Sequence, residues 1–214
     1  MVRKLRKRIS GIIILNKLVY LISPVEINDN FYNILEKVLS HGNVKFFQLR
    51  LKKVKKKDVI KIGNKIRKIT FKNKVKLIIN DNFNLVSKIK ADGCHMGQFD
   101  GSLKFARKKI KKKILGVTCH NSIQLAKNAS KFKADYLAFG SFYKSKLKPK
   151  AKKANLGVLK QAKKIFKQPI VVIGGINNSN YKKLINLGAK YIAISSYIWD
   201  NPILKPEIAI KKFK

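Results

Sequence analysis

The feature that most constrains this chain is a recurrence. Eight short apolar runs follow one another at intervals of about 20–30 residues: LVYLIS (18–23), VKFFQLR (44–50), VKLIIND (75–81), ADGCHMG (91–97), KILGVTC (113–119), DYLAFGS (135–141), PIVVIGG (169–175) and YIAISS (191–196). Most are continuously apolar rather than alternating, which is the pattern of strands buried on both faces, as in a parallel sheet. The segments between them carry helical spacing. In FYNILEKVLSHG (31–42), Phe31, Ile34, Leu35, Val38 and Leu39 form one stripe, with Gly42 placed to end it. VIKIGNKIRKI (59–69) repeats the pattern, NSIQLAKNASKF (121–132) opens on N-cap chemistry at Asn121–Ser122, and NNSNYKKLINLGAK (177–190) runs from Asn/Ser to Gly188.

Alternating βα units suit either a doubly wound sheet or a closed barrel, and eight units favour the barrel. The reading is therefore α/β, a single (β/α)8 TIM barrel, over residues 18–214, with residues 1–17 as a basic N-terminal extension. The apolar run Gly11–Leu15 is short for a signal-peptide core and far too short to span a membrane. Cys94 and Cys119 form neither a CxxC pair nor a disulfide framework, which points to a reducing, cytoplasmic setting.

The chain holds 50 Lys and Arg against 10 Asp and Glu, a net charge of +40. A field of that sign attracts anions, from nucleic acid to phosphorylated metabolites. The lysines are spread through nearly every polar segment, so they read as solvated surface with no specific nucleic acid partner.

In barrels, the C-terminal strand ends build the active site. The polar residues here gather at those ends: Gln48, Arg50 and Lys52 after strand two; Asn80 and Asp81 after strand three; Gln98 and Asp100 after strand four; Thr118 and His120 after strand five; Gly174–Gly175 and Ser195–Ser196 after strands seven and eight. The period-two QLRLK (48–52) aims three polar side chains one way, and two cations on an inner face call for an anion such as a phosphate or pyrophosphate. Asp81 and Asp100 either pair with Arg50 and Lys52 or hold Mg²⁺, which favours one or two carboxylates with water and phosphate oxygens. IGGI and ISS lie where barrels often bind phosphate through backbone N–H groups. His120 can cap, pack or serve as a base, and His95 reads as structural. The long polar stretch Tyr143–Asn155 has the size of an active-site lid.

In this order and spacing the rim resembles the thiamine phosphate synthase family. QLRLK is similar to its Gln-x-Arg-x-Lys, IIND to its Asn-Asp pair, GCHMGQFD (93–100) to its Gly-Val-His-Leu-Gly-Gln-x-Asp and GVTCHN (116–121) to its Gly-Val-Ser-x-His. The resemblance implies a Mg²⁺-assisted transferase that condenses 4-amino-2-methyl-5-hydroxymethylpyrimidine diphosphate with thiazole phosphate. It implies that Gln48, Arg50, Lys52, Asn80 and Thr118 bind the pyrimidine substrate and that Asp81 and Asp100 hold the metal. Gly175, Ser195, Ser196, Ser145 and Lys148 would serve the phosphates, with Arg50, Lys52 and Lys148 acting on the departing pyrophosphate. The strand-six loop departs from the family's Gly-Pro-x-x-Pro-Thr-x-Thr-Lys: Ser145 keeps a hydroxyl and Lys148 a charge, while Leu147 replaces the second Thr. Small-molecule substrates are the expected partners, with no membrane, and homo-oligomerisation stays open. Two alternatives remain: a thiazole tautomerase-like paralogue using His120, and a non-catalytic anion- or nucleic-acid-binding barrel.

Overall fold

The computed structural model describes residues 8–9, 12–13, 17–144 and 153–214. Eight parallel strands close into a barrel: β1 Val19–Ile22, β2 Val44–Leu49, β3 Lys76–Asn80, β4 Gly93–Met96, β5 Ile114–His120, β6 Tyr136–Gly140, β7 Ile170–Ile173 and β8 Tyr191–Ile194, each beside the next and β8 beside β1. The expected (β/α)8 barrel is the observed one. Ahead of it, Arg8–Ile9 and Ile12–Ile13 pair antiparallel.

The continuous apolar runs have a direct cause. Alternate residues of each strand face the barrel axis or the surrounding helices, and both sides are dry. Tyr20, Phe46, Ile78, Tyr136, Ala138, Val171 and Ala193 pack inside the barrel. Their neighbours Leu21, Phe47, Leu77, Leu137 and Val172 pack outward against helices including α1 Phe31–Ser40, which buries Phe31, Leu35, Val38 and Leu39.

The helix after β2, α2 Lys56–Lys72, extends beyond the expected 59–69 at both ends. Its lysines are good helix formers, and nothing stops it before Asn73 and Lys74, where φ reaches +53°. α3 Leu85–Lys88 and α4 Leu103–Ile110 follow β3 and β4. After β5, α5 Ile123–Lys131 starts where Ser122 Oγ accepts the Leu125 N–H at 3.2 Å. α6 Gly157–Ile165 follows β6. α7 Tyr181–Asn186 is shorter than its pattern, because Asn177 Oδ1 accepts the N–H groups of Ser179 and Asn180 and holds the lead-in as a turn. α8 Ser196–Trp199 and α9 Pro206–Ala209 close the chain, with Asn43 Nδ2 donating to the carbonyls of Ile210 and Phe213.

Two acids secure the N-terminal end of the barrel. Asp92 accepts the Leu77 N–H at 2.8 Å and pairs with Arg67 at 2.6 Å. Asp135 accepts the Leu115 N–H at 2.8 Å and pairs with Arg107 at 2.6 Å. Each carboxylate thereby satisfies a peptide group near the start of a neighbouring strand and neutralises a cation arriving from a helix. Among the described residues, no helix is long and apolar enough to cross a membrane.

Candidate active site

The opposite rim gathers the polar strand ends. Gln48 is buried inside β2, whereas Arg50 and Lys52 lie past the last strand residue, Leu49, one half-buried and the other exposed. This corrects the expectation that all three project from the strand's inner face: pairing stops at Leu49, and the two cations sit at the mouth. Ser23 Oγ accepts the Arg50 N–H at 3.0 Å and fixes the chain as it leaves the sheet.

Asn80 ends β3 in register with His95, and Asp81 follows at φ +64° with its N–H donated to the His95 carbonyl at 2.8 Å. Asp100 reaches the same place from the β4–α4 loop. Its Oδ2 accepts the Gly97 N–H at 2.6 Å, and a Cβ on residue 97 would lie 2.7 Å from that oxygen, so glycine is what admits the carboxylate. The two acids are within hydrogen-bonding reach of each other. Burial, the contact with Asp100 and its like charge push the Asp81 carboxyl up to about 6, while Lys52 and Arg50 pull it down more weakly.

The ion pairs among the described residues join Arg67 and Lys76 to Asp92, Lys72 to Glu36 and Arg107 to Asp135; none includes Asp81 or Asp100. Pairing with Arg50 and Lys52 therefore does not consume the rim acids. No cluster of three or more His, Cys, Asp and Glu occurs among the described residues. Two repelling carboxylates do fit a hard divalent cation that takes its other ligands from water and a substrate's phosphate oxygens.

Below these acids lies a polar chain that sequence reasoning missed. Gln48 Nε2 donates to Tyr20 Oη at 2.9 Å, and Tyr20 Oη is 2.8 Å from Tyr136 Oη. Tyr136 Oη is 2.9 Å from His95 Nδ1, and His95 Nε2 is 2.8 Å from Thr118 Oγ1. Gln98 Nε2 donates to the Thr118 carbonyl. Register explains the reach. His95, Gly116 and Tyr136 are aligned across β4, β5 and β6, so the tyrosine ring crosses over Gly116 and stacks on the imidazole, with centroids 5.7 Å apart and planes 13° apart. A Cβ at Gly116 would lie 1.8 Å from Tyr136 Cζ. The sequence signal was present but faint: a tyrosine at the inward position of an apolar strand, and a glycine two residues before Thr118.

Gly174 and Gly175 end β7 at φ +103° and +60°. Gly175 lies against the loop after β6, where a Cβ would meet the Lys144 carbonyl at 2.2 Å, and its own carbonyl accepts from Asn180 Nδ2. Ser195 and Ser196 are half-buried at the end of β8, with Ser195 Oγ donating to the Ser23 carbonyl at 3.2 Å. Ser145, Leu147 and Lys148 lie outside the described residues. His120 is exposed at the end of β5 at φ +51°. Both cysteines are buried, and burial pushes the Cys94 thiol up and that of Cys119 up to about 12, which leaves no thiolate for nucleophilic work.

A closed parallel barrel that gathers a carboxylate pair, two mouth cations and a glycine turn on its C-terminal rim has the layout of a (β/α)8 enzyme. Comparison with known proteins narrows the class. Residues 19–198 match the family model for thiamine monophosphate synthase. A thiamine-phosphate synthase from Pelagibacter ubique is 56% identical over 199 residues, covering 92% of this chain and 96% of the relative. One from Erythrobacter litoralis is 38% identical over 185 residues, covering 84% and 87%. Among solved structures, a thiamine phosphate pyrophosphorylase from Pyrococcus furiosus superposes with a TM-score of 0.81 at 25% identity, over 92% of this chain and 94% of that one. The chain belongs to the thiamine monophosphate synthase family, and it is an enzyme of the transferase class.

Proposed function

We propose that this protein joins hydroxymethylpyrimidine diphosphate to thiazole phosphate, releasing pyrophosphate and thiamine phosphate, at the rim just described. The observation that carries the reading is the meeting of Asp81 and Asp100 beside Arg50 and Lys52, on the rim where the hydrogen-bonded chain from Gln48 to Thr118 lies. Asp81 and Asp100 would hold Mg²⁺, which supplies positive charge against the diphosphate oxygens.

The chain's own groups have defined tasks. Arg50 and Lys52, with Lys148 from the loop after β6, bind the diphosphate and meet the charge that grows on it as it departs. Gln48, Asn80 and Thr118 orient the pyrimidine. Gly175, Ser195, Ser196 and Ser145 receive the thiazole phosphate, a role supported by the close packing of Gly175 under Lys144. The thiazole nitrogen lone pair becomes the new C–N bond, and the electrons of the broken C–O bond leave with pyrophosphate. The step needs no proton from the protein and no side-chain nucleophile, which suits a site whose cysteines are buried. Positioning and electrostatics are the protein's contributions. The setting we propose is cytoplasmic.

The test is direct. The purified protein, both substrates and Mg²⁺ are assayed for thiamine phosphate with and without chelator. Chelator-sensitive product is expected. Binding of the pyrimidine diphosphate without product would overturn the synthase reading and return the tautomerase-like alternative.

A further inference from the structure

Counting protons along the buried chain from Gln48 to Thr118 fixes its direction. Both tyrosines are wholly buried, and burial raises both phenols, so each keeps one proton to give. Tyr20 Oη already accepts from Gln48 Nε2. Its own proton then goes to Tyr136 Oη, the other oxygen within reach at 2.8 Å. Tyr136, having accepted, donates to His95 Nδ1 at 2.9 Å. A neutral imidazole accepting at Nδ1 carries its hydrogen on Nε2, and that hydrogen points at Thr118 Oγ1 at 2.8 Å. The threonine accepts and keeps its own O–H for donation.

We infer that Tyr20, Tyr136 and His95 are positioning residues forming a one-way hydrogen-bond relay that sets the polarity of its two ends, with Gln48 presenting its carbonyl Oε1 as acceptor and Thr118 its hydroxyl as donor. This rests on the proposed synthase reading only for the identity of the ligand, which must offer a donor to Gln48 and an acceptor to Thr118, as an aminopyrimidine can with its amino group and a ring nitrogen. The 4-oxo analogue offers the reverse and is disfavoured. Gly116 belongs to the same device, since any larger residue would occupy the space of the tyrosine ring that links β6 to β4. None of the three relay residues needs to touch the reacting atoms.

Two measurements on the full chain test the relay. Nitrogen-15 NMR of the histidines, with His95 assigned by its loss in His95→Gln, should show the Nε2–H tautomer in the unliganded parent and a mixed tautomer in Tyr136→Phe, which removes one hydroxyl and keeps the ring. Calorimetric Kd values for the 4-amino and 4-oxo pyrimidine diphosphates should show a preference for the amino compound that falls about 10-fold or more in Tyr136→Phe. Tyr20→Phe cuts the relay next to Gln48 and gives the same loss of preference should Tyr136→Phe fold poorly. A purely structural hydroxyl would lower Tm and leave both tautomer and preference unchanged, and that result overturns the relay. A parent His95 in the Nδ1–H form overturns it as well. Failure of the parent to bind either pyrimidine would count against the proposed function, while the tautomer would still decide the relay.

Discussion

Replacing Asp81 with Asn should stabilise the metal-free protein at neutral pH while removing its response to Mg²⁺. Asp81 sits at φ +64°, a left-handed conformation that Asn tolerates better than most residues, so the backbone is not disturbed. Raising the carboxyl from its ordinary 3.8 to about 6 places a penalty of about 3 kcal/mol on the ionised form. Asp81 is only half-buried, and solvent screening reduces this to roughly 1–2 kcal/mol. A carboxyl raised on folding stabilises the folded state where both folded and unfolded forms are protonated, below about pH 4, relative to higher pH. That stability is lost as pH rises through about 6, where the folded carboxylate ionises beside Asp100. Asp81→Asn lacks this loss. Without metal at pH 8 its Tm should exceed the parent's by about 2–8 °C, using roughly 2–4 °C per kcal/mol for a chain of this size. Near pH 4 the two should converge. Mg²⁺ should raise the parent's Tm and leave the variant's unchanged. A variant less stable than the parent at pH 8, with an intact Mg²⁺ response, would refute the repelling pair.

Further outcomes are expected elsewhere. Gly116→Ala forces a methyl into the Tyr136 ring and should destabilise by about 1–3 kcal/mol in urea unfolding, with loss of the ring stacked on His95. Asp92→Ala leaves the Leu77 N–H and Arg67 without their acceptor and should cost about 1–3 kcal/mol with little change in turnover, because it lies at the opposite end of the barrel. Lys52→Gln removes the larger of the two cationic influences holding Asp81 down, so the acid limb of the kcat/KM–pH profile should move to higher pH.

The eight strands were legible because a two-sided burial environment writes itself as unbroken apolar runs, and their order fixed the rim that holds Asn80, Asp81, Asp100 and Thr118. Strand ends were less legible. QLRLK has perfect period two, yet sheet pairing stops at Leu49 and releases Arg50 and Lys52 to the mouth, since alternation says nothing of where a neighbouring strand ceases to pair. Helix ends were blurred by lysines that extend α2 and by Asn177, whose side chain competes with the helical backbone ahead of α7. The relay through Tyr20, Tyr136 and His95 joins residues 116 and 41 positions apart along the chain. Only register brings them together, and no local pattern encodes register.

Asp92, Asp135 and Asp100 share a habit: each has a carboxylate oxygen bound by a main-chain N–H, from Leu77, Leu115 and Gly97 respectively. A main-chain N–H fixes one oxygen of each carboxylate, and at Asp92 the other oxygen still meets Lys76. The chain can therefore carry 50 basic side chains as an outer coat whose density changes without re-aiming these three acids. Solubility, salt response and nonspecific attraction to polyanions become properties of the coat, and wholesale exchange of exposed lysines for glutamine outside the mouth should retune them while leaving the barrel's chemistry in place.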